Sequence, residues 1–383
     1  MQGKGRTSYI TRQEQERRRR RQIRSWIILI LIIVAAVAGF SLLRSAGNTT
    51  EITANALPCY PDQDVTVFGN NILYYDGASI HCLSSGGAIR WSFPVGSGAS
   101  FSVSDTHLVA WTGSQLYIVD QNGTPTYNEA MESPVQFARV GGNYCAVVIG
   151  PDTEPVLLVK NLNGSQMDYE ADAFKNLLML DVGFYGDQGQ YMWTLCMDVY
   201  GTDINTIMNT FQVGKMNTGE VSLGDNLAYR VFYDNGHLRV FTTQQMYTYD
   251  YKAVQDAGST RLVYGWQLID THTPARGDGY MLLSPVNQVV GTQSLSELRL
   301  LTDTEDRRFA LPSDCVGAVV QGDTIYAFCD EYIYRSSVKE QRFYAYAMPL
   351  ADTVHLTGFL GMTGDGRALV TDGATVWSVS VPQ

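Results

Sequence analysis

The sequence predicts an all-β fold: a β-propeller of seven or eight four-stranded blades, eight preferred, preceded by one transmembrane α-helix. Three observations predict it. Short apolar runs recur between Gly/Asn/Asp/Ser turns, the last repeat lacks its fourth strand, and eighteen uncharged residues stand near the start.

Residues 1–25 form a basic tail. Nine Lys or Arg, among them Arg17, Arg18, Arg19, Arg20, Arg21 and Arg24, face only Glu14 and Glu16, a net +7. The apolar run Trp26–Leu43 follows and, as a helix, rises about 27 Å, close to the hydrocarbon thickness of a bilayer. A basic flank stays in the cytoplasm. The expected topology is therefore a single-pass protein of the cell membrane, N-terminus cytoplasmic, with the lipid bilayer as partner of residues 26–43. A cleaved signal peptide is the rival reading, but the tail is long for one and the small-residue sites near Gly39 and Gly47 match weakly. Residues 44–49 read as a linker, and 50–383 as the extracellular propeller.

From Val65 the chain repeats. VTVF, ILYYDG, ASIHCL and AIRWSF are four short strands with turns between them, and FSVS, LVAWTG, SQLYIVD and TPTYNEA repeat the pattern. Apolar runs of four to six residues suit strands packed on both faces. Eight units are placed, with first strands near Val65, Phe101, Val135, Leu178, Leu227, His272, Cys315 and Val354. They lie about 33 to 49 residues apart, the length of a propeller blade. The last unit stops at Gln383 after three strands, while Thr50–Cys59 has strand content and belongs to no unit. Placing that orphan strand in the last blade closes the ring and removes a free sheet edge.

The first unit, ending SGGAIRWSF, is similar to the blade motif of propellers related to quinoprotein dehydrogenases. The whole layout, and MWTLCMDVYGTDINTIMNTFQVGKMNTG at 192–219, resembles single-pass membrane proteins of Gram-positive, largely clostridial, bacteria whose extracellular propeller is classed as a domain of unknown function. That resemblance implies a fold and a location, and brings no activity with it.

Charge narrows the partners. The whole chain carries −11, so with +7 in the tail the remainder carries −18. A surface that acidic repels phosphate, so no nucleic acid is expected. His81, His107, His237, His272 and His355 fall in different units, and metal sites usually declare themselves by local pairs, so no metal is expected. No nucleophile elbow, phosphate loop or dinucleotide motif is present. Asp181, Asp198, Asp203 and Asp270 near strand ends are the carboxylates from which an acid/base pair would come, although Asp is also the commonest turn former. A quinone cofactor would call for adjacent cysteines, and Cys-Cys does not occur. The six tryptophans, about one per unit, read as blade packing, and Asn-Gly at 122–123 and 163–164 as hairpin turns. No catalytic residue and no cofactor is assigned.

Six cysteines in some 335 residues are too sparse for a disulfide scaffold, and most sit in apolar runs. One pair stands out. If Gln321-Gly322-Asp323 is a three-residue turn, Cys315 and Cys329 lie directly opposite in one hairpin, within disulfide reach. The function expected is a non-catalytic binding or scaffold module at the cell surface, holding a protein, peptide or envelope glycan. The alternative is an extracellular propeller enzyme, quinone-dependent or carbohydrate-active. An apolar or aromatic patch on one face would mark the first, inward carboxylates the second.

Overall fold

The computed structural model describes residues 51–186, 188–274, 277–286 and 294–383. The basic tail with Arg17–Arg21 and Arg24, the expected membrane helix 26–43 and the linker 44–49 lie outside the described residues. Among the described residues no helix is long and apolar enough to cross a membrane.

Eight four-stranded antiparallel sheets form an eight-bladed β-propeller. Blades one to seven span 66–94, 100–130, 135–170, 178–222, 228–262, 266–315 and 317–347. Blade eight takes three strands from 358–380 and its fourth from Ala54–Ala56, which pairs with the last strand in the register Ala54↔Val379 and Ala56↔Trp377. The orphan strand therefore closes the ring. Ser380 N–H donates to Thr53 O (2.9 Å) and Leu57 N–H to Val376 O (2.8 Å), extending the seam at both ends.

The apolar runs pack as their composition dictates. In HLVAWT of blade two and YCAVVI of blade three, consecutive side chains are buried, because each blade has a neighbour on both faces. Among the described residues eight apolar clusters are resolved, one at each junction between neighbouring blades. That between blades eight and one joins Leu57 and Cys59 to Ile72, Leu83, Leu369 and Val376. The ring thus has no exposed first or last sheet.

Turn chemistry follows the residues. Asn235 and Gly236 hold φ of +47° and +81° between the paired Asp234 and His237, a two-residue turn whose twist suits a hairpin. Gly123 and Gly164, with φ of +81° and +85°, bear out the reading of both Asn-Gly pairs as turns.

The structure corrects two expectations. The first strand of blade six is Trp266–His272, so His272 ends that strand rather than beginning it. In blade seven Gln321 pairs with Thr324, leaving a two-residue turn, Gly322-Asp323. Cys315 and Cys329 are therefore not cross-strand partners in one hairpin. Cys315 ends the last strand of blade six, opposite Leu295, and Cys329 follows the second strand of blade seven.

Strand direction defines two faces. Turns between second and third strands, and links from one blade to the next, lie on one face, called upper here. First-to-second and third-to-fourth turns lie on the lower face. Thr53 joins the ring at the lower face, beside Ser380.

Candidate binding face

The upper loops of blades four to six expose apolar side chains that a solvated turn does not need. They are Val199, Tyr200 and Ile204 in one turn of blade four, Leu227 and Tyr229 leading into blade five, Leu262 and Tyr264 leading out of it, and Val286 after the second strand of blade six. Tyr264 is 75% exposed. These side chains come from separate segments, and the topology brings all of those segments to one face.

Several of them surround a cavity of about 520 Å³ lined by Tyr229, Thr243, Tyr264, Gly265, Trp266, Gln267 and Val286. Trp266 is buried, and the Arg308 and Arg299 guanidinium carbons lie 5.2 and 5.7 Å from its ring centroid. Cations over an indole face are attracted by its negative π-cloud. Arg299 is held in turn by Asp306 through two hydrogen bonds, 2.9 and 2.8 Å, and donates to Leu262 O at 2.9 Å. The buried Arg239 donates to Asp303 and to Thr248 Oγ1, and Arg261 donates to Asp303 O. Blades five and six are thereby stitched beneath the cavity, which fixes its walls. The Tyr229 hydroxyl accepts from Leu268 N–H (3.0 Å), orienting that ring.

Inward of this cavity lies a second, of about 360 Å³, lined by Tyr229, Arg230, Leu268, Ile269, Asp270 and Thr271. Asp270 sits just past a β-bulge in the first strand of blade six and accepts from Val320 N–H of blade seven (2.8 Å). Burial pushes its carboxyl up to about 6, while the N–H groups of Val320 and Thr271 and the charge of Arg230 work in the opposite direction. Asp181, at the same bulge position in blade four, instead accepts from Arg139 Nε of blade three (2.8 Å).

The other candidate carboxylates serve the backbone. Asp198 Oδ1 accepts from Tyr200 and Gly201 N–H, making the turn that exposes Val199 and Tyr200, and Asp203 ends that turn. The four therefore divide into two turn residues, an ion-paired residue and a half-buried acid, with Asp270 on a different blade from the rest. Among the described residues no group of three or more His, Cys, Asp or Glu is placed to hold a metal. His81 bonds Asp76 and Ser92, His355 bonds Asp330, and His272 accepts from Gly322 N–H.

Cys315 and Cys329 both line a third upper cavity, of about 410 Å³, between blades six and seven. The register correction separates them in the hairpin, yet the junction between blades places them together. Acidic residues are spread along the upper side of blades four to seven: Asp198 and Asp314 near strand ends, and Asp203, Asp225, Asp330 and Glu331 in turns or links.

Sequence reading missed Tyr229, Tyr264 and Val286. The available signal was a large apolar residue inside a turn segment, as in LVYGW and DVYGTD, where polar residues usually stand.

No protein-family model matches the chain, and no curated protein matches it. Solved structures similar to it include Sqt1 of Saccharomyces cerevisiae, at 9% identity and a TM-score of 0.54, covering 86% of this chain and 100% of that one. BamB of Moraxella catarrhalis is similar at 11% identity and a TM-score of 0.49, covering 86% and 98%. The Pan2 WD40 domain of Neurospora crassa is similar at 8% identity and a TM-score of 0.49, covering 86% and 96%. At such identities the likeness to Sqt1 shows the propeller fold alone.

Proposed function

We propose that this chain is a membrane-anchored, extracellular binding module that holds an apolar segment of a protein partner on the upper face of blades four to six. The observation that carries the reading is the cavity framed by Tyr229, Tyr264, Trp266 and Val286, with its exposed aromatic rim. Aromatic side chains offer large contact area at small entropic cost, and exposed apolar patches mark interaction sites. The lining supplies few polar groups, chiefly Thr243 and Gln267, to satisfy sugar hydroxyls, which favours a peptide over an envelope glycan. The +7 tail and the apolar run 26–43 support the anchor and its orientation.

A photo-crosslinking residue at Tyr264 in the full chain tests this, with the same residue at Tyr251, in a lower turn, as control. Adducts at Tyr264 and none at Tyr251 are expected, and Tyr264→Ser should weaken recovery of the same partner about tenfold or more. Equal adducts at both positions, or none at Tyr264, overturn the reading. The enzyme alternative would rest on Asp270, whose carboxylate is engaged by backbone N–H groups rather than by a second carboxylate.

A further inference from the structure

Four of the six cysteines stand singly, one to a junction: Cys59 between blades eight and one, Cys82 between one and two, Cys145 between two and three, Cys196 between three and four. Cys315 and Cys329 share one junction. The chain produces this by turning from blade six into blade seven at Val316, whose N–H donates to Phe328 O (2.8 Å), so the residues on either side of that bond are neighbours. Ser313 touches both thiols: its carbonyl accepts from Cys315 Sγ (3.4 Å) and its hydroxyl donates to Cys329 Sγ (3.5 Å). Asp330 accepts from Leu356 N–H (2.7 Å) and holds the turn that follows Cys329. Both cysteines line the cavity of about 410 Å³ on the upper face and are otherwise buried, 1% and 5% exposed, so a small disulfide reaches them only through that cavity.

We propose that Cys315 and Cys329 form a reversible disulfide by exchange with a low-molecular-mass disulfide that enters this cavity. In the first step Cys329, as thiolate, attacks one sulfur of the small disulfide. The sulfur–sulfur bond breaks, one small thiolate leaves, and it takes up the proton that Cys329 had released. In the second step Cys315 loses its proton and attacks Cys329 Sγ, breaking the mixed disulfide and expelling the second small thiol. Two protein thiols are oxidised to one disulfide, and one small disulfide is reduced to two thiols. The product ties blade six to blade seven at the edge of the upper face.

The division of roles has electrostatic support. The neighbouring Cys315 thiol, with the Ser313 hydroxyl, holds Cys329 below the ordinary thiol range, and closeness to Cys329, with burial, holds Cys315 above it. Burial pushes Cys59 and Cys82 up to about 11, and Cys145 and Cys196 up to about 12, which keeps those four unreactive.

The test equilibrates the folded full chain with mixtures of reduced and oxidised glutathione, quenches with acid, denatures, alkylates the remaining thiols and maps them by mass spectrometry. Alkylation of Cys315 and Cys329 should fall together as the oxidised fraction rises, while the other four stay fully alkylated. In Cys315→Ser, glutathione should accumulate on Cys329. In Cys329→Ser, none should accumulate on Cys315. Full alkylation of Cys315 and Cys329 in the wild type at the most oxidising mixture overturns the proposal, as does equal loss at all six cysteines. The wild-type measurement is decisive by itself if either variant fails to fold.

Discussion

Blades one to three and blades five to seven use the same four-stranded unit and put it to different ends. In the first group the turn between third and fourth strands repeats closely. An oxygen of Ser84, Asp120 or Asn161 accepts the backbone N–H four residues on, and a glycine with positive φ stands at the fourth position (Gly87, Gly123, Gly164). That glycine packs on a side chain from the preceding blade's outer edge: Gly87 on Leu57, Gly123 on Trp91, Gly164 on Tyr127. An added Cβ would come within 3 Å of the aromatic ring at Gly123 and Gly164, and 3.1 Å from Leu57 at Gly87. In the second group blade five keeps that turn, with Asp250 accepting from Val254 N–H and Ala253 at φ +61°, but elsewhere the blades add buried arginines, ion pairs and cavities, and aromatic side chains turn outward. The first group spends its side chains on holding the ring. The second carries groups beyond what the ring requires, and those are where a ligand finds space.

The largest expected effect falls on the seam that both groups depend on. Removing residues 49–58 deletes the strand Ala54–Ala56, uncovers Val376–Ser380 and takes Leu57 out of its cluster. Stability to denaturant should drop by several kcal/mol, because the whole ring opens. An unchanged unfolding midpoint would mean that closure contributes nothing.

A matched pair of glycines separates the two groups directly. Gly123 and Gly265 have nearly the same φ, +81° and +80°. An added Cβ at Gly123 would lie 2.7 Å from Trp91, whereas at Gly265, in the cavity wall, it meets nothing within 4 Å. Gly123→Ala should cost about 3 kcal/mol, backbone strain plus overpacking, and Gly265→Ala about 1 kcal/mol from strain alone. Equal costs in chemical denaturation would erase the distinction between scaffold and site.

A third prediction sharpens the comparison from within the second group. Asp270 has a folded pKa near 6, above its ordinary value of 3.8, so folding favours its protonated form. That stabilisation is complete below about pH 4 and is lost as pH rises through about 6. Asp270→Asn keeps an oxygen for Val320 N–H and should be more stable than wild type near neutral pH, by about 2 kcal/mol after allowance for partial exposure. The two proteins should converge in acid. Parallel stability profiles from acid to neutral pH would show that burial is not what raises this carboxyl.

The smallest effect on stability is expected at the patch. Tyr264→Ser removes a side chain that is three-quarters exposed, so stability should stay within about 0.5 kcal/mol while partner recovery falls. A stability loss as large as that of Gly123→Ala would make Tyr264 a structural residue rather than a contact.

Much of the ring was legible because its rules are local. Each first strand but the sixth begins within about four residues of its expected place, since apolar runs and turn residues act over a few positions. The sixth begins six residues early, at Trp266, because a β-bulge at Ile269 and exposed apolar residues before it blur the boundary. The patch was less legible: Tyr229, Tyr264 and Val286 are far apart in the chain, and no local spacing relates them. The cysteine pair shows the same limit more sharply. Counting across an assumed three-residue turn placed Cys315 opposite Cys329 for a reason that the two-residue turn removes. Their proximity comes from the junction between two blades.

Composition and order along the chain determined the repeat, a ring of seven or eight blades and the strand that closes it, because strand patterning, turn chemistry and edge pairing act through near neighbours or chain ends. The tertiary structure alone decided which turns share a face, which carboxylate pairs with an arginine and which hydrogen-bonds to backbone, and which two of six thiols share a junction. Those outcomes depend on the angular placement of whole blades about the ring. A contact between blades is set by packing along eight apolar junctions together, and no single stretch of the chain contains it.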